Sequence, residues 1–103
     1  MTKQQETTSR EKLREQLAIA TQSDCDIIVA IPNYASSDLE VAKRLASSLN
    51  IRGTLNDHLF PYFLHGAGFS FIYGLKDKLS EPTYEENFLK KCAGFSDVTI
   101  KTF

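Results

Sequence analysis

One short stretch decides the fold: residues 25–31, with the sequence CDIIVAI. It is an almost continuous apolar run, and β-branched residues make up most of it. Such runs are typical of a strand whose two faces are both covered. We therefore predict a central strand of a sheet here, ended by Pro32 and Asn33.

The segment before this strand has helical periodicity. Leu13, Leu17 and Ala20 are spaced four and three residues apart, which predicts an amphipathic helix over residues 9–22. Thr8 and Glu11 have the spacing of a capping box at its start. Polar residues 1–8 are expected to form a flexible leader, and residues 9–103 a single globular domain.

A second helix is predicted after the central strand and runs through Asn50. Ser37 and Glu40, three positions apart, form the capping box that starts it. After this helix, residues 51–56 are expected to supply a short strand interrupted by Gly53. The apolar face of the helix is predicted to consist of Leu39, Ala42, Leu45, Ala46 and Leu49.

In the C-terminal half, the sequence pattern predicts a strand, a helix and a second strand. Residues 68–74, with the sequence GFSFIYG, alternate so that three rings share one face, and Ser70 and Ile72 point the other way. Residues 97–103 alternate again and form the last strand. The rings on the first of these strands are Phe69, Phe71 and Tyr73.

The intervening helix is predicted to begin at a third capping box, formed by Thr83 and Glu86. Gly94 is a suitable residue to end it. Its apolar side consists of Tyr84, Phe88, Leu89 and Cys92.

The predicted order is one helix followed by β-α-β-β-α-β, which favours an α+β, two-layer ferredoxin-like sandwich with an additional N-terminal helix. Helices on one face leave the other sheet face open, and we expect the N-terminal helix to cover it. If that helix docks elsewhere, the strand rings themselves are the exposed surface. The alternative is a small three-stranded open α/β sheet in which residues 51–56 are a loop.

Composition and charge exclude several classes of protein. The chain has 103 residues, with 12 Lys and Arg against 13 Asp and Glu, and this balance lacks the basic excess of a non-specific nucleic-acid or anionic-membrane binder. The N-terminus is polar, unlike a secretory signal, and no apolar run is long enough to span a membrane. Two widely separated cysteines do not form a disulfide scaffold. We expect a cytoplasmic protein with reduced thiols and no membrane association.

The distribution of aromatic residues predicts the functional surface. Residues 58–75 contain no Asp, Glu, Lys or Arg, yet they hold six of the eleven Phe and Tyr residues. The first half, residues 58–65, fits no regular element and has too many large apolar residues for a solvated loop. We therefore predict a non-catalytic interaction module, such as an adaptor, inhibitor or immunity-type accessory protein, that binds a protein partner or a second copy of itself. The predicted contact residues are Phe60, Tyr62, Phe63 and His65.

The stretch GFSFI, residues 68–72, resembles the core of the octamer motif on the third strand of the RNA-recognition motif. The resemblance implies that Phe69 and Phe71 stack on the bases of single-stranded RNA, with Tyr73 on the same face. Ala67 stands where that motif has Lys or Arg, and Gly74 stands where it has its final aromatic residue. These departures, with the near-neutral charge, favour a buried or protein-contacting ring face over RNA binding.

A small oligomeric enzyme is the remaining alternative, with His58 or His65 as a general base. Asp57 and these histidines lie within nine residues, but their spacing is not one that creates a rigid metal-ligand pair. Cys25 and Cys92 are interpreted as small buried residues, since neither has an activating neighbour in the sequence. We expect no cofactor, no metal ion and no catalytic residue.

Overall fold

The computed structural model describes residues 10–34, 36–57, 60–66, 68–95 and 97–103. The predicted leader at residues 1–8 and its capping residue Thr8 lie outside these ranges. In chain order the elements are helix α1 (Arg10–Thr21), strand β1 (Ile27–Pro32), helices α2 (Leu39–Ser48) and α3 (Ile51–Asp57), strands β2 (Tyr62–Gly66) and β3 (Phe69–Leu75), a 3₁₀ turn (Lys78–Ser80), helix α4 (Pro82–Cys92) and strand β4 (Val98–Thr102).

The four strands form an open antiparallel sheet in the order β2-β3-β1-β4, so the chain has an α+β fold. β1 pairs with β3 on one side and β4 on the other, and all six of its residues are buried. The prediction of a central strand covered on both faces is therefore confirmed. The outer strands of the sheet are β2 and β4.

Helices cover both faces of this sheet. α2 and α3 pack on the face that carries Val29, Phe71 and Tyr73. α1 and α4 pack together on the opposite face, which carries Ala30 and Ile72. The predicted two-layer arrangement is wrong in this respect, because β1 is apolar on both faces and each face needs its own helices. α1 covers the face opposite the rings, and α2 and α3 cover the rings instead.

The two crossover connections therefore lie on opposite faces. β1 leads to β2 through α2 and α3, and β3 leads to β4 through α4; each connection joins parallel strands across one intervening strand. A half-turn about an axis normal to the sheet superposes the strands of one connection on those of the other. Because this rotation changes neither the hand of a connection nor the face on which it lies, two connections of the same hand would lie on the same face. One connection is consequently left-handed, whereas about 98% of such crossovers are right-handed.

The predicted second strand at residues 51–56 is a helix, α3, and the second strand lies later in the chain. Ile51 and Leu55 are spaced one helical turn apart, and both are buried against the sheet. Asn50 has a φ of 51°, which turns the chain between α2 and α3. β2 forms instead within the segment that was predicted to contain no regular element.

The helix starts also differ from the predicted capping boxes. Asp38, rather than Ser37, caps α2, and its Oδ1 accepts a hydrogen bond of 2.9 Å from the N–H of Val41. α4 begins with Pro82 in its first turn and no side-chain cap, so Thr83 is inside the helix. Proline is favoured there because its fixed φ suits a helix start. The predicted apolar side of α4 is confirmed, since all four of its residues are buried.

Candidate functional site

β2 is an outer strand, and one of its sides carries backbone groups that face away from the sheet. Ile27 and Phe103 exchange N–H···O bonds of 2.9 Å in both directions, so odd-numbered residues of β1 bond to β4 and even-numbered ones bond to β3. Even-numbered Ala30 therefore bonds to Ile72, the residue opposite it on β3. Because backbone directions alternate along a strand, Phe71, the residue before Ile72, points its N–H and C=O groups toward the other neighbour of β3, which is β2.

The same alternation assigns the backbone directions within β2. Leu64 is opposite Phe71 and bonds inward to β3. Phe63 and His65, on either side of it, therefore direct their N–H and C=O groups outward. Among the described residues, no hydrogen bond reaches these outward groups. We call this outward backbone, with the side chains of Phe60 and Phe63, the β2 edge.

The four predicted contact residues do not share one face. Phe63 and His65 lie on the sheet face covered by α1 and α4, whereas Tyr62 is half-buried on the face covered by α2 and α3. Phe60 lies just before the strand and is 54% exposed. The structure therefore brings Phe63 and His65 together and separates Tyr62 from them.

Phe63 is held in place by neighbours from two elements, although 44% of its surface is exposed. The ring of His65 stacks on it at 5.7 Å, and the ring of Phe95 approaches it edge-on at 6.1 Å. Nζ of Lys91, on α4, lies 5.9 Å from its ring centre, within the range of a cation–π interaction. Sequence reasoning missed Phe95 and Lys91, because nothing in their local pattern indicates contact with a strand about thirty residues earlier.

His65 also forms a hydrogen bond with a serine, the pair of residue types that can act as general base and nucleophile. Its Nδ1 lies 2.7 Å from Oγ of Ser70, the residue opposite it on β3. Ser70, however, is only 1% exposed, and within the described ranges no carboxylate orients the His65 ring. A serine nucleophile needs access to substrate and an oriented base. The geometry is that of a cross-strand hydrogen bond that fixes the His65 ring.

A shallow cleft of about 350 Å³ lies beside this pair. Gly68, with a φ of +83°, makes the turn between β2 and β3 at its wall. The cleft is lined by Tyr34, Ser36, His65, Gly66, Gly68, Phe69 and Ser70. Among the described residues that line the cleft, the His65 imidazole is the only acidic or basic side chain, so these residues offer little to bind a charged substrate.

The rings of the RNA-binding alternative are inside the fold. Phe71 and Tyr73 are fully buried, and Phe69 is half-buried beside them. The hydroxyl of Tyr73 donates a hydrogen bond of 2.8 Å to the carbonyl of Ala42 in α2, and burial raises the pKa of Tyr73. Base stacking needs an exposed ring face. α2 occupies the space that RNA bases would need.

The thiols do not form a reactive or metal-binding centre in the described part of the chain. Cys92 is buried in the core, and burial raises the pKa of its thiol to about 12. Cys25 is half-buried and accepts a hydrogen bond from Ser23. No group of three or more His, Cys, Asp or Glu residues suited to a metal ion occurs among the described residues. His58, the other predicted base, lies outside them.

On the opposite outer strand, β4, a helix side chain bonds to one of the outward backbone groups. The backbone N–H of Ile100 faces away from β1, and it donates a hydrogen bond of 2.9 Å to Oε1 of Gln16 in α1. Lys101 adds a charged side chain next to it. A side-chain acceptor and a lysine are devices that keep a foreign strand from pairing with a sheet edge.

Comparison with known protein families, with curated proteins and with solved structures gives no match to this chain. Within the ranges that the structure describes, no helix has the length and apolar character needed to cross a bilayer.

Proposed function

We propose that the protein is a non-catalytic interaction module that binds another polypeptide strand along the β2 edge. The observation that carries this proposal is the row of outward N–H and C=O groups at Phe63 and His65. Such a row is a template for β-strand addition, in which backbone hydrogen bonds supply affinity and flanking side chains supply specificity.

The side chains beside this row suit a protein partner. Phe60 and Phe63 are 54% and 44% exposed, and aromatic residues are enriched in the cores of protein interfaces. β2 itself contains no Asp, Glu, Lys or Arg that an approaching strand would have to desolvate. These features support an adaptor, inhibitor or immunity-type role more than catalysis, for which the His65 and Ser70 pair lacks an exposed nucleophile.

The proposal is tested by removing a single outward N–H. His65→Pro deletes the N–H at this position without breaking a backbone hydrogen bond to β3, since proline is tolerated at sheet edges. His65→Ala is the matched control, because it loses the same ring contacts but keeps the N–H. Affinity capture from the native host, followed by mass spectrometry, is then compared for the wild type and both variants.

We expect the wild type to retain a partner, which can be a second copy of the chain, His65→Ala to retain the same partner at lower recovery because it loses only the ring, and His65→Pro to lose it. Circular dichroism checks that all three proteins are folded. Equal recovery of every partner by the proline and alanine variants would show that the β2 edge is not the binding surface.

A further inference from the structure

We propose that the strand added to the β2 edge is β2 of a second copy, paired antiparallel with Leu64 on the two-fold axis. This inference rests on the proposed function and names its partner. The result is a closed dimer with one continuous sheet across both copies.

The register follows from the directions of the backbone groups. In an antiparallel pair related by a two-fold axis at Leu64, Phe63 of each copy lies opposite His65 of the other. These are the residues whose N–H and C=O groups face outward, so each such pair exchanges both of its N–H···O bonds. Leu64 meets its own copy as a non-hydrogen-bonded pair, as its inward bonding requires.

Neighbouring registers use the edge less well. An axis at Phe63 places His65 opposite Pro61, which has no N–H to donate. An axis at His65 places Phe63 opposite residue 67, beyond the end of β2 at Gly66. The Leu64 register is the one in which both outward residues find complete partners inside the strand.

The side chains around this axis are also self-complementary. In a symmetric interface a residue near the axis meets its own copy, so a charged residue there would be repelled. β2 has no charged side chain, and its central Leu64 is apolar and half-buried. On the other face, the exposed ring of Phe63 lies opposite His65 of the second copy, the ring type on which it already stacks within one chain.

The β4 edge is less available to a further strand than the β2 edge. After β2 has paired with β2, the free edges of the dimer are the two β4 strands, and at the centre of each the outward N–H of Ile100 already donates to Gln16. Because two fully open edges would allow open-ended growth, we expect this bond to favour a closed pair.

A cysteine at the axis tests the register directly. Cα atoms of a non-hydrogen-bonded antiparallel pair are about 4.5 Å apart, within the range of about 4.4–6.8 Å that disulfides span. We expect Leu64→Cys to form a covalent dimer under mild oxidation. Tyr62→Cys is the matched control, because it lies on the same strand face but is opposite Gly66 of the second copy. Both are made in a Cys25→Ser background, which removes the more accessible native thiol.

Light scattering and hydrogen exchange test the dimer without any new cysteine. We expect the wild type to reach twice the 11.6 kDa of one chain as concentration rises. His65→Ala, which lacks the ring opposite Phe63 but keeps the N–H, should do so at a higher concentration, and His65→Pro should remain at 11.6 kDa. The amides of Phe63 and His65 should become protected over the same concentration range. A dimer that cross-links through Tyr62→Cys rather than Leu64→Cys would overturn the register.

Failure of this inference and failure of the proposed function give different results. A wild type that stays monomeric up to its solubility limit, yet loses a host protein on His65→Pro, overturns self-pairing and leaves strand addition intact. A monomer whose captured partners are the same for His65→Pro and His65→Ala overturns both.

Discussion

The two outer strands of the sheet present the same backbone groups to their surroundings but have different neighbours. On β4, the outward N–H of Ile100 is bonded to Gln16 of the packed helix α1. On β2, the outward groups of Phe63 and His65 have no such acceptor among the described residues, and exposed rings lie beside them. The fold therefore occupies an outward N–H at one edge of the sheet and leaves the corresponding groups at the other edge without a described partner.

The source of this difference lies in how the helices are distributed. α1 lies on the same face as α4, next to β4, and the two helices are joined by an ion pair between Arg10 and Glu86 at 2.6 Å. On the other face α3 contacts β3, and among the described residues no helix side chain bonds to the outward groups of β2. The protection of β4 therefore depends on α1, and weakening α1 should make the two edges more alike.

The largest effect is expected from loosening α1. Leu17 is 2% exposed in the core between α1, α4 and the sheet. Leu17→Ala should lower the free energy of unfolding by about 2–5 kcal/mol, because it removes buried apolar contacts and leaves a cavity. Urea denaturation measures this loss. Ile19→Ala, on the same helix but 71% exposed, is the control and should change little. Equal losses for the two variants would show that α1 does not pack as described.

A smaller effect is expected from uncovering β4 alone. Gln16→Ala removes the acceptor of the Ile100 N–H and should cost about 1 kcal/mol of unfolding free energy. With both edges open, the protein should also form concentration-dependent assemblies larger than a dimer, which light scattering would detect. Gln16→Glu keeps an oxygen acceptor and should prevent this growth. Unchanged size for Gln16→Ala would mean that the hydrogen bond does not protect the edge.

The central strand could be predicted from the sequence, but the two edges could not. Residues 25–31 carry their own signal, since an apolar β-branched run must be covered on both faces wherever it lies. The pairing of Gln16 with Ile100 joins residues 84 positions apart, and neither has a local pattern that indicates it. A strand is at the edge of a sheet when no other strand pairs with one of its sides, and the residues of the strand itself do not indicate this.

The second strand illustrates how tertiary contact overrides local preference. Residues 51–56 contain Ile51 and a glycine, which suggested a broken strand, but the burial of Ile51 and Leu55 on the sheet selects a helix. In β2, Tyr62 and Leu64 lie on the sheet face covered by α2 and α3, and Phe63 and His65 lie on the opposite face. The sequence does not reveal this alternation, because the residues of both sets are aromatic or apolar. Composition singled out the segment to which we assign the proposed function, but the strand structure of that segment was not predicted.

A variant at β2 should change association as well as stability. Phe63→Thr keeps a residue favoured in strands but removes a ring that packs on His65 and Phe95, so the unfolding free energy should fall by about 1 kcal/mol. Loss of the ring contact should raise the dissociation constant of the proposed dimer by about tenfold, measured by analytical ultracentrifugation. An unchanged dissociation constant would place the ring outside the interface.

The smallest effect is expected from acidifying the α1 contact. The hydrogen bond from Arg10, with the charge of Arg14 nearby, lowers the pKa of Glu86 below its ordinary value. A carboxyl whose pKa is lower in the folded state stabilises the fold above its unfolded pKa, and this contribution is lost as pH falls through the folded pKa. Between about pH 6 and about pH 3, the urea midpoint of the wild type should therefore fall slightly more than that of Glu86→Gln. Because the pair is exposed, the difference should be small and should shrink in high salt. Identical pH dependence in the two proteins would mean that this ion pair does not help to hold α1, and with it Gln16, against β4.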